Sequence, residues 1–192
     1  AKKVFYSGNP TGERALLVPQ ITKESIGLSA NKRLVVIVSG SLGSTSVNNK
    51  MLDYLKLLDT KPYQVLYITG KNYYDEFMKN KLPNNVKVVP YFDNLAGILK
   101  STDVLVTRAG ASTISEVIAL NLPSIFIPSP YVANNHQYYN ALELKNNNCG
   151  EMLEEKDFSA SKLSYMIDEL LINQEKYNMI KDNLSKNQTI SS

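Results

Sequence analysis

Short apolar runs rich in β-branched residues alternate along the chain with longer segments whose apolar residues recur at helical spacing. The runs that predict strands are residues 4–6, 34–38, 64–69, 86–89, 104–107 and 124–128. The run 34–38, Leu-Val-Val-Ile-Val, is apolar throughout, as expected for a strand covered on both faces. Alternation of such strands with helical segments is typical of βαβ units. The pattern therefore predicts an α/β fold, a Rossmann-like parallel sheet flanked by helices.

Helices are predicted where apolar residues repeat every three or four positions. The four segments with the clearest repeat are 47–58, a stretch around 114–120, 163–172 and 177–184. The first of these follows the second predicted strand and the second follows the fifth. Each therefore stands where a βαβ crossover needs a helix.

The composition indicates a single domain and limits which groups could bind a phosphate. The chain has 192 residues, 43% of them hydrophobic, which predicts a single domain over residues 1–192. A formal net charge of +3 with 20% charged residues is too mild and dispersed for a nucleic-acid partner. The arginines are Arg14, Arg33 and Arg108. A bound phosphate would therefore be held mainly by backbone amides and hydroxyl groups.

Other features of the sequence argue against a disulfide, a metal or cofactor site and a membrane-spanning helix. A single cysteine, Cys149, excludes an intrachain disulfide, and without a Cys/His cluster we expect neither a metal nor a cofactor. No apolar run approaches the roughly 20 residues of a membrane-spanning helix, and no signal-peptide core follows the first residues. Because the sequence begins with Ala1 rather than Met, we expect it to be part of a longer protein.

The turns that follow strands are the places to look for function, because ligands of open α/β sheets bind outside the carboxyl ends of the strands. The first such turn, residues 39–44, reads Ser-Gly-Ser-Leu-Gly-Ser between an apolar strand and a helix. Gly40 and Gly43 would let the backbone approach a phosphate, and the helix N-terminus would attract an anion. The spacing fits neither the dinucleotide fingerprint nor a P-loop. An ordinary tight turn remains the alternative interpretation.

The second turn, residues 107–116, reads Thr-Arg-Ala-Gly-Ala-Ser-Thr-Ile-Ser-Glu. Its small residues leave space for a ligand in front of a new helix. Glu116 has two possible roles. With Thr113 it fits the capping-box pattern, in which the carboxylate binds a helix N-terminal amide. It could also accept hydrogen bonds from the hydroxyl groups of a sugar.

The third turn follows the sixth predicted strand, where Pro128 and Pro130 stiffen the chain. Amide and imidazole groups then crowd the start of a helix in residues 134–140, which include His136 and Gln137. Amides both donate and accept hydrogen bonds and so suit a ligand with many hydroxyl groups. A lone histidine is more often structural, so a structural role for His136 stays open.

Taken together and in this order, these segments resemble the C-terminal half of the MurG family of bacterial N-acetylglucosamine transferases. The resemblance rests on Gly8-Asn9-Pro10, Gly40-Ser41-Leu42-Gly43, the run 108–116, Pro123 to Pro128 and His136-Gln137-x-x-Asn140-Ala141. It implies the C-terminal domain of a two-domain GT-B glycosyltransferase, which holds the donor UDP-N-acetylglucosamine. It also implies a role in peptidoglycan synthesis, and hence in cell shape and division.

The resemblance implies a role for each matching residue. The diphosphate would contact Gly40, Ser41 and Gly43, and uracil would contact the backbone of Phe92. The diphosphate and the transferred sugar would lie along Ala111, Ser112, Thr113, Ile114 and Ser115. The ribose would bind Glu116, and the sugar hydroxyls would bind Gln137, with His136 beside it. The lipid-linked muramoyl-pentapeptide acceptor and a peripheral contact with the cytoplasmic side of the cell membrane would belong to an N-terminal domain. No catalytic residue is expected in this chain.

The match has departures, and two other functions fit the same residues. Ser39 stands where many family members have glycine, and Gly12 where many have an arginine, which puts an arginine contact to the donor in doubt. The alternatives are a donor-binding subunit of a split transferase and another GT-B enzyme, or an epimerase, that uses a different UDP-sugar. The family's glycine-rich loop with its histidine is absent from these 192 residues.

Overall fold

The computed structural model of the chain describes residues 10–39 and 45–188. Within these residues six parallel strands form one sheet in the order β3-β2-β1-β4-β5-β6. The strands are β1 (Leu34–Val38), β2 (Gln64–Ile68), β3 (Val86–Val89), β4 (Val104–Thr107), β5 (Ser124–Phe126) and β6 (Glu151–Met152). The predicted parallel sheet is confirmed from β1 to β5. The predicted strand 4–6 lies outside the described residues.

Two details of the sheet differ from the sequence-based expectation. β5 ends at Phe126 rather than at Pro128: the Ile127 amide still donates to Thr107 O at 2.8 Å, but Pro128 has no N–H to continue the ladder. β6 was not predicted. It has only two residues, Glu151 and Met152, paired with Ile125 and Phe126, which is too short for a periodic pattern.

Eight helices of the described chain surround the sheet. They are α1 (Pro10–Leu17), α2 (Thr45–Lys56), α3 (Lys71–Met78), α4 (Leu95–Leu99), α5 (Ala111–Leu120), α6 (His136–Asn146), α7 (Ala160–Ile172) and α8 (Gln174–Gln188). The predicted helices correspond to α2, α5, α7 and α8, with bounds shifted by a few residues. α1, α3 and α4 were not predicted, because each has eight residues or fewer and a short apolar repeat.

The direction of the crossovers decides which face each helix covers. The chain moves one way along the sheet from β1 through β3 and the other way from β3 through β6. Because crossovers between parallel strands are right-handed, α2 and α3 cover one face, and α4, α5 and α6 the opposite face. α7 packs against α2, whereas α1 and α8 pack against α5. Both faces of the central strands are therefore covered, and β1 and β2 are almost wholly buried.

α1 lies directly against the backbone of α5. A Cβ built on Gly12 of α1 would stand 2.8 Å from the carbonyl oxygen of Ser115 and 3.5 Å from the Ala119 Cβ. The absence of a side chain at Gly12 is thus what allows the two helices to approach. This contact fixes α5, the helix that carries half of the predicted ligand residues.

The buried polar network of the domain lies at the amino ends of the strands. The hydroxyls of Tyr54 in α2 and Tyr63 before β2 are 2.7 Å apart and buried. Burial raises the pKa of the Tyr54 hydroxyl well above its ordinary value. Burial also raises the pKa of the Tyr63 hydroxyl, and the nearby Asp168 of α7 raises it further. Asp168 binds Lys61 at 2.5 Å. This network supports the fold from the end opposite the predicted ligand site.

Candidate functional site

The carboxyl ends of the strands form a rim that collects the predicted ligand residues. Phe92 follows β3, the run 108–116 follows β4, and residues 128–137 follow β5. β3 and β4 are separated by β2 and β1, so their ends are about 14 Å apart at the usual strand spacing. The loop after β1, with Gly40, Ser41 and Gly43, lies outside the described residues, so its predicted diphosphate contact stays a prediction.

The N-terminus of α5 presents free backbone amides at this rim. Gly110 caps the helix in an extended conformation, with φ −68° and ψ 152°, and without a side-chain hydrogen bond. Ile114 N donates to Gly110 O at 3.0 Å, whereas the amides of Ala111, Ser112 and Thr113 have no partner among the described residues. A Cβ on Gly110 would meet nothing within 4 Å. The turn is therefore open, and its amides and the helix dipole favour an anion.

The predicted ligand contacts in α5 divide into accessible and buried side chains. Ala111 and Ser112 are exposed, and Thr113 is half-buried. Ile114 is 2% exposed and Ser115 6% exposed, and the Ser115 hydroxyl donates to Ala111 O at 3.1 Å within the helix. These two side chains therefore belong to the interior of the domain. A direct contact between their side chains and a ligand is not compatible with this packing.

Glu116 does not cap the helix. Because Gly110 is the N-cap and the helix begins at Ala111, Thr113 is the third helical residue rather than the cap, so the capping-box interpretation is wrong. The Glu116 side chain is half-buried and has no hydrogen-bond or ion-pair partner among the described residues. Burial raises the pKa of its carboxyl above the ordinary value. Glu116 is thus an acceptor without a donor in the described part of the chain, about 7.5 Å along the helix from Ala111.

Gln137 uses its carbonyl oxygen to join two turns of the rim. Gln137 Oε1 accepts from the amide of Ser129 at 2.9 Å and from the amide of Ala109 at 3.3 Å. Ser129 follows β5 and Ala109 follows β4, and both residues are buried. The side-chain NH₂ of Gln137 has no partner among the described residues and can donate to a ligand. Gln137 can therefore still donate to a sugar hydroxyl through its NH₂ group, whereas its Oε1 atom already accepts from two backbone amides.

Asn140 completes the support of the same turn and was missed as a functional residue. Its Nδ2 donates to Ala109 O at 3.0 Å, so Gln137 and Asn140 hold both backbone polar groups of Ala109. The spacing of three residues places the two side chains on one face of α6. The spacing of Gln137 and Asn140 in the motif is the one feature of the sequence that indicates a shared role. It does not reveal that Ala109 is the partner of Asn140. The two amides fix the turn immediately before the free amides of α5.

His136 and Phe92 are placed at the rim with fewer contacts. His136 is exposed at the start of α6 and has no partner among the described residues. The two residues before it, Asn134 and Asn135, have φ of 54° and 55°, the left-handed region that asparagine tolerates. Phe92 is half-buried and packs against the core. Its backbone lies at the exit of β3, where the resemblance puts uracil.

The described part of the chain offers neither a metal-binding cluster nor a membrane-spanning helix. No group of three or more His, Cys, Asp and Glu side chains there could hold a metal ion. No described helix has both the length and the apolar character needed to cross a bilayer.

Comparison with known proteins connects this geometry with transferases. Residues 34–192 match the glycosyltransferase family 28 C-terminal domain. A curated protein of Caldanaerobacter subterraneus subsp. tengcongensis is 43% identical over 178 residues, which cover 89% of this chain and 49% of that protein. It is named UDP-N-acetylglucosamine--N-acetylmuramyl-(pentapeptide) pyrophosphoryl-undecaprenol N-acetylglucosamine transferase. A Bacillus pumilus protein of the same name is 38% identical over 185 residues, which cover 94% of this chain and 51% of that protein. The chain thus spans about half the length of the curated relatives it matches.

Solved structures share the fold. Acinetobacter baumannii MurG superimposes with a TM-score of 0.68 at 22% identity, over 88% of this chain and 49% of that one. The glycosyltransferase VinC, solved in complex with DTDP, gives a TM-score of 0.69 at 17% identity, over 89% of this chain and 40% of that one. The parallel sheet flanked by helices is therefore the fold of a GT-B glycosyltransferase domain, as the sequence predicted.

Proposed function

Because this chain belongs to the glycosyltransferase family 28 C-terminal domain family, we propose that it is the donor-binding half of a two-domain N-acetylglucosamine transferase. Its ligand is UDP-N-acetylglucosamine, the donor in the names of relatives about 40% identical to it. Residues 1–192 form the donor domain, and a separate N-terminal domain supplies the acceptor site.

One observation carries this proposal: an open helix N-terminus and an unpartnered carboxylate occur on the same helix, α5. The free amides of Ala111, Ser112 and Thr113 suit the diphosphate, and Glu116 suits the ribose hydroxyls one turn further on. The separation of about 14 Å between the exits of β3 and β4 is comparable to the length of a nucleoside diphosphate. Uracil against the backbone of Phe92 is compatible with that span.

The sugar end of the donor is assigned to the turn after β5 and the start of α6. The free NH₂ group of Gln137 donates to a sugar hydroxyl, and the exposed His136 lies beside it. Gly40, Ser41 and Gly43 complete the diphosphate site from the turn after β1. Ile114 and Ser115 contribute their position in the helix rather than their side chains.

The reaction is an inverting displacement at the anomeric carbon. The acceptor hydroxyl oxygen forms its bond to that carbon as the bond to the diphosphate oxygen breaks, and UDP leaves with the electron pair. The amides at the N-terminus of α5 stabilise the charge that develops on UDP. The hydroxyl proton passes to a base on the acceptor domain. We assign no catalytic residue to this chain.

The acceptor and the cellular site follow from the same assignment. A lipid-linked muramoyl-pentapeptide is the acceptor in the names of the relatives. It would be held by the N-terminal domain, which also provides a peripheral contact with the cytoplasmic side of the bacterial cell membrane. The process served is peptidoglycan synthesis, with its consequences for cell shape and division.

Isothermal titration calorimetry with the 192-residue chain tests the donor assignment. UDP-N-acetylglucosamine is expected to bind with higher affinity than UDP-glucose or UDP-galactose, and UDP more tightly than uridine. Transfer to a lipid-linked acceptor is expected to be negligible, since positioning of the acceptor accounts for roughly 7–11 kcal/mol of such a barrier.

Glu116→Gln and Glu76→Gln make a matched pair of variants for this experiment. Both replace one carboxylate by an amide, but Glu76 is exposed on α3, on the opposite face of the sheet. Only Glu116→Gln should weaken UDP binding. Absence of UDP binding by the wild-type chain at millimolar concentration would refute the donor assignment, and equal binding of all three UDP-sugars would refute the specificity.

A further inference from the structure

Arg108, the last residue before the turn at Ala109, forms a buried ion pair with Glu155. The Arg108 Nη2 and Glu155 Oε1 atoms are 2.6 Å apart, and the two side chains are 14% and 11% exposed. Neither of these two atoms has another partner among the described residues. Each charge therefore depends on the other for compensation, because an isolated buried charge is strongly unfavourable.

This ion pair connects the exits of three strands. Arg108 follows β4, and its Nη1 donates to the carbonyl oxygen of Ile127 after β5 at 3.1 Å. Glu155 begins the short 3-10 helix Glu155–Asp157 that follows β6. A single side chain thus sets the spacing between β4, β5 and β6 at the edge where the candidate site lies.

Arg108 reaches the α2 side of the sheet, whereas Gln137 and Asn140 belong to α6. Arg108 lines a small cavity with Val47 and Met51 of α2, which covers the other face from α5 and α6. Glu155 lines a larger open pocket that Val47 of α2 shares with Tyr138 of α6. Gln137 and Asn140 hold the backbone of the adjacent Ala109 from α6. The turn that leads into α5 is therefore fixed from both faces of the sheet.

From this arrangement we propose that Arg108 and Glu155 form a positioning pair for the donor diphosphate, an inference that rests on the proposed function. Arg108 does not bind the diphosphate itself. Its charge is neutralised by Glu155, and its side chain is buried beside α2. The pair instead keeps the turn at residues 108–110 aligned with the turn after β5, so that the α5 amides point at the ligand.

The substitution Glu155→Gln separates this role from direct binding because the two roles predict opposite signs. If Arg108 positions the turn, loss of the carboxylate should weaken UDP binding by the 192-residue chain about tenfold, within the range of coupling between contacting groups. If Arg108 binds the diphosphate, removal of its competing carboxylate should strengthen UDP binding. Glu154→Gln is the matched control, because Glu154 is the adjacent carboxylate and pairs only loosely with Lys156, at 3.8 Å. Its effect should stay within about twofold.

The double variant Arg108→Glu/Glu155→Arg provides a second measurement, which also serves if Glu155→Gln does not fold. It reverses the pair but keeps opposite charges facing each other. A positioning pair predicts recovery of UDP binding to within a few-fold of the wild type. A folded double variant that fails to bind UDP, or unchanged UDP binding by folded Glu155→Gln, would overturn the inference. Failure of the wild-type chain to bind UDP would instead overturn the proposed function.

Discussion

Replacement of Gln137 by alanine should destabilise the domain before any ligand is added. The substitution removes the oxygen that accepts from the amides of Ala109 and Ser129, which are 0% and 2% exposed. A buried amide left without an acceptor costs about 1–3 kcal/mol. Because the bond to Ala109 is long, at 3.3 Å, and water can reach the half-buried Gln137 position, we expect a loss of about 2–4 kcal/mol in the free energy of unfolding. Urea denaturation followed by circular dichroism measures it.

Two further variants separate the structural role of Gln137 from its proposed role in binding the donor. Gln137→Glu keeps an oxygen acceptor for both amides, so its free energy of unfolding should stay within about 1 kcal/mol of the wild type. It removes the NH₂ donor and adds a negative charge beside the diphosphate, so binding of UDP-N-acetylglucosamine should fall about tenfold or more. His136→Ala is the control for stability, since His136 is exposed and has no partner in the described chain. If Gln137→Ala proves as stable as His136→Ala, the proposed contribution to stability of the Gln137 bonds to Ala109 and Ser129 is refuted.

Glu116, Tyr63 and Gly12 provide further measurable outcomes. Glu116→Gln should weaken UDP binding by about 1–3 kcal/mol without lowering the stability of the free chain at pH 7, because burial raises the carboxyl pKa and so disfavours the charged form. For the same reason wild-type affinity for UDP-N-acetylglucosamine, whose diphosphate does not titrate in this range, should fall as pH decreases through this raised pKa, above 4.5, and that of the variant should not. Tyr63→Phe leaves the Tyr54 hydroxyl buried without its partner and should cost about 1–3 kcal/mol in urea denaturation with UDP affinity unchanged. Wild-type stability should decline as pH rises above 10, because unfolding then lets these hydroxyls ionise. Gly12→Ala should lower stability by about 1–3 kcal/mol, since its Cβ would stand 2.8 Å from a backbone oxygen of α5, whereas Gly110→Ala meets nothing and should not.

The sheet and the edge that carries the candidate site could be predicted because both follow from short-range pattern. Apolar runs such as Leu34–Val38 identify buried strands, and parallel topology then places every turn that follows a strand at one edge. The same reasoning could not find β6, because its two residues are too few to show a periodic pattern. It could not find the partner of Arg108 either, because Glu155 lies 47 positions further along the chain, just after β6.

The error at Glu116 shows how a correct local pattern can be placed in the wrong position. Thr113 and Glu116 have the spacing of a capping box, but the helix starts two residues before Thr113. Gly110 adopts the extended cap conformation and leaves the turn open without a side chain. Which residue caps a helix is decided by where the preceding strand releases the chain, and β4 ends at Thr107. The pattern of Thr113 and Glu116 therefore falls inside the helix.

The scarcity of arginine explains why backbone position matters at this site. Arg33 binds the carbonyl oxygen of Leu171 at the far end of β1, Arg14 lies exposed on α1, and Arg108 is neutralised by Glu155. Neither Arg33 nor Arg108 is therefore free to follow a diphosphate as a flexible cation would, and in the proposed site its charge would be met mainly by amides at fixed positions. Amides cannot adjust to the ligand as side chains do. The side chains of Gln137, Asn140 and Arg108 bind the protein's own backbone, and under the proposed function the donor contacts depend on how accurately these side chains hold the turn before α5.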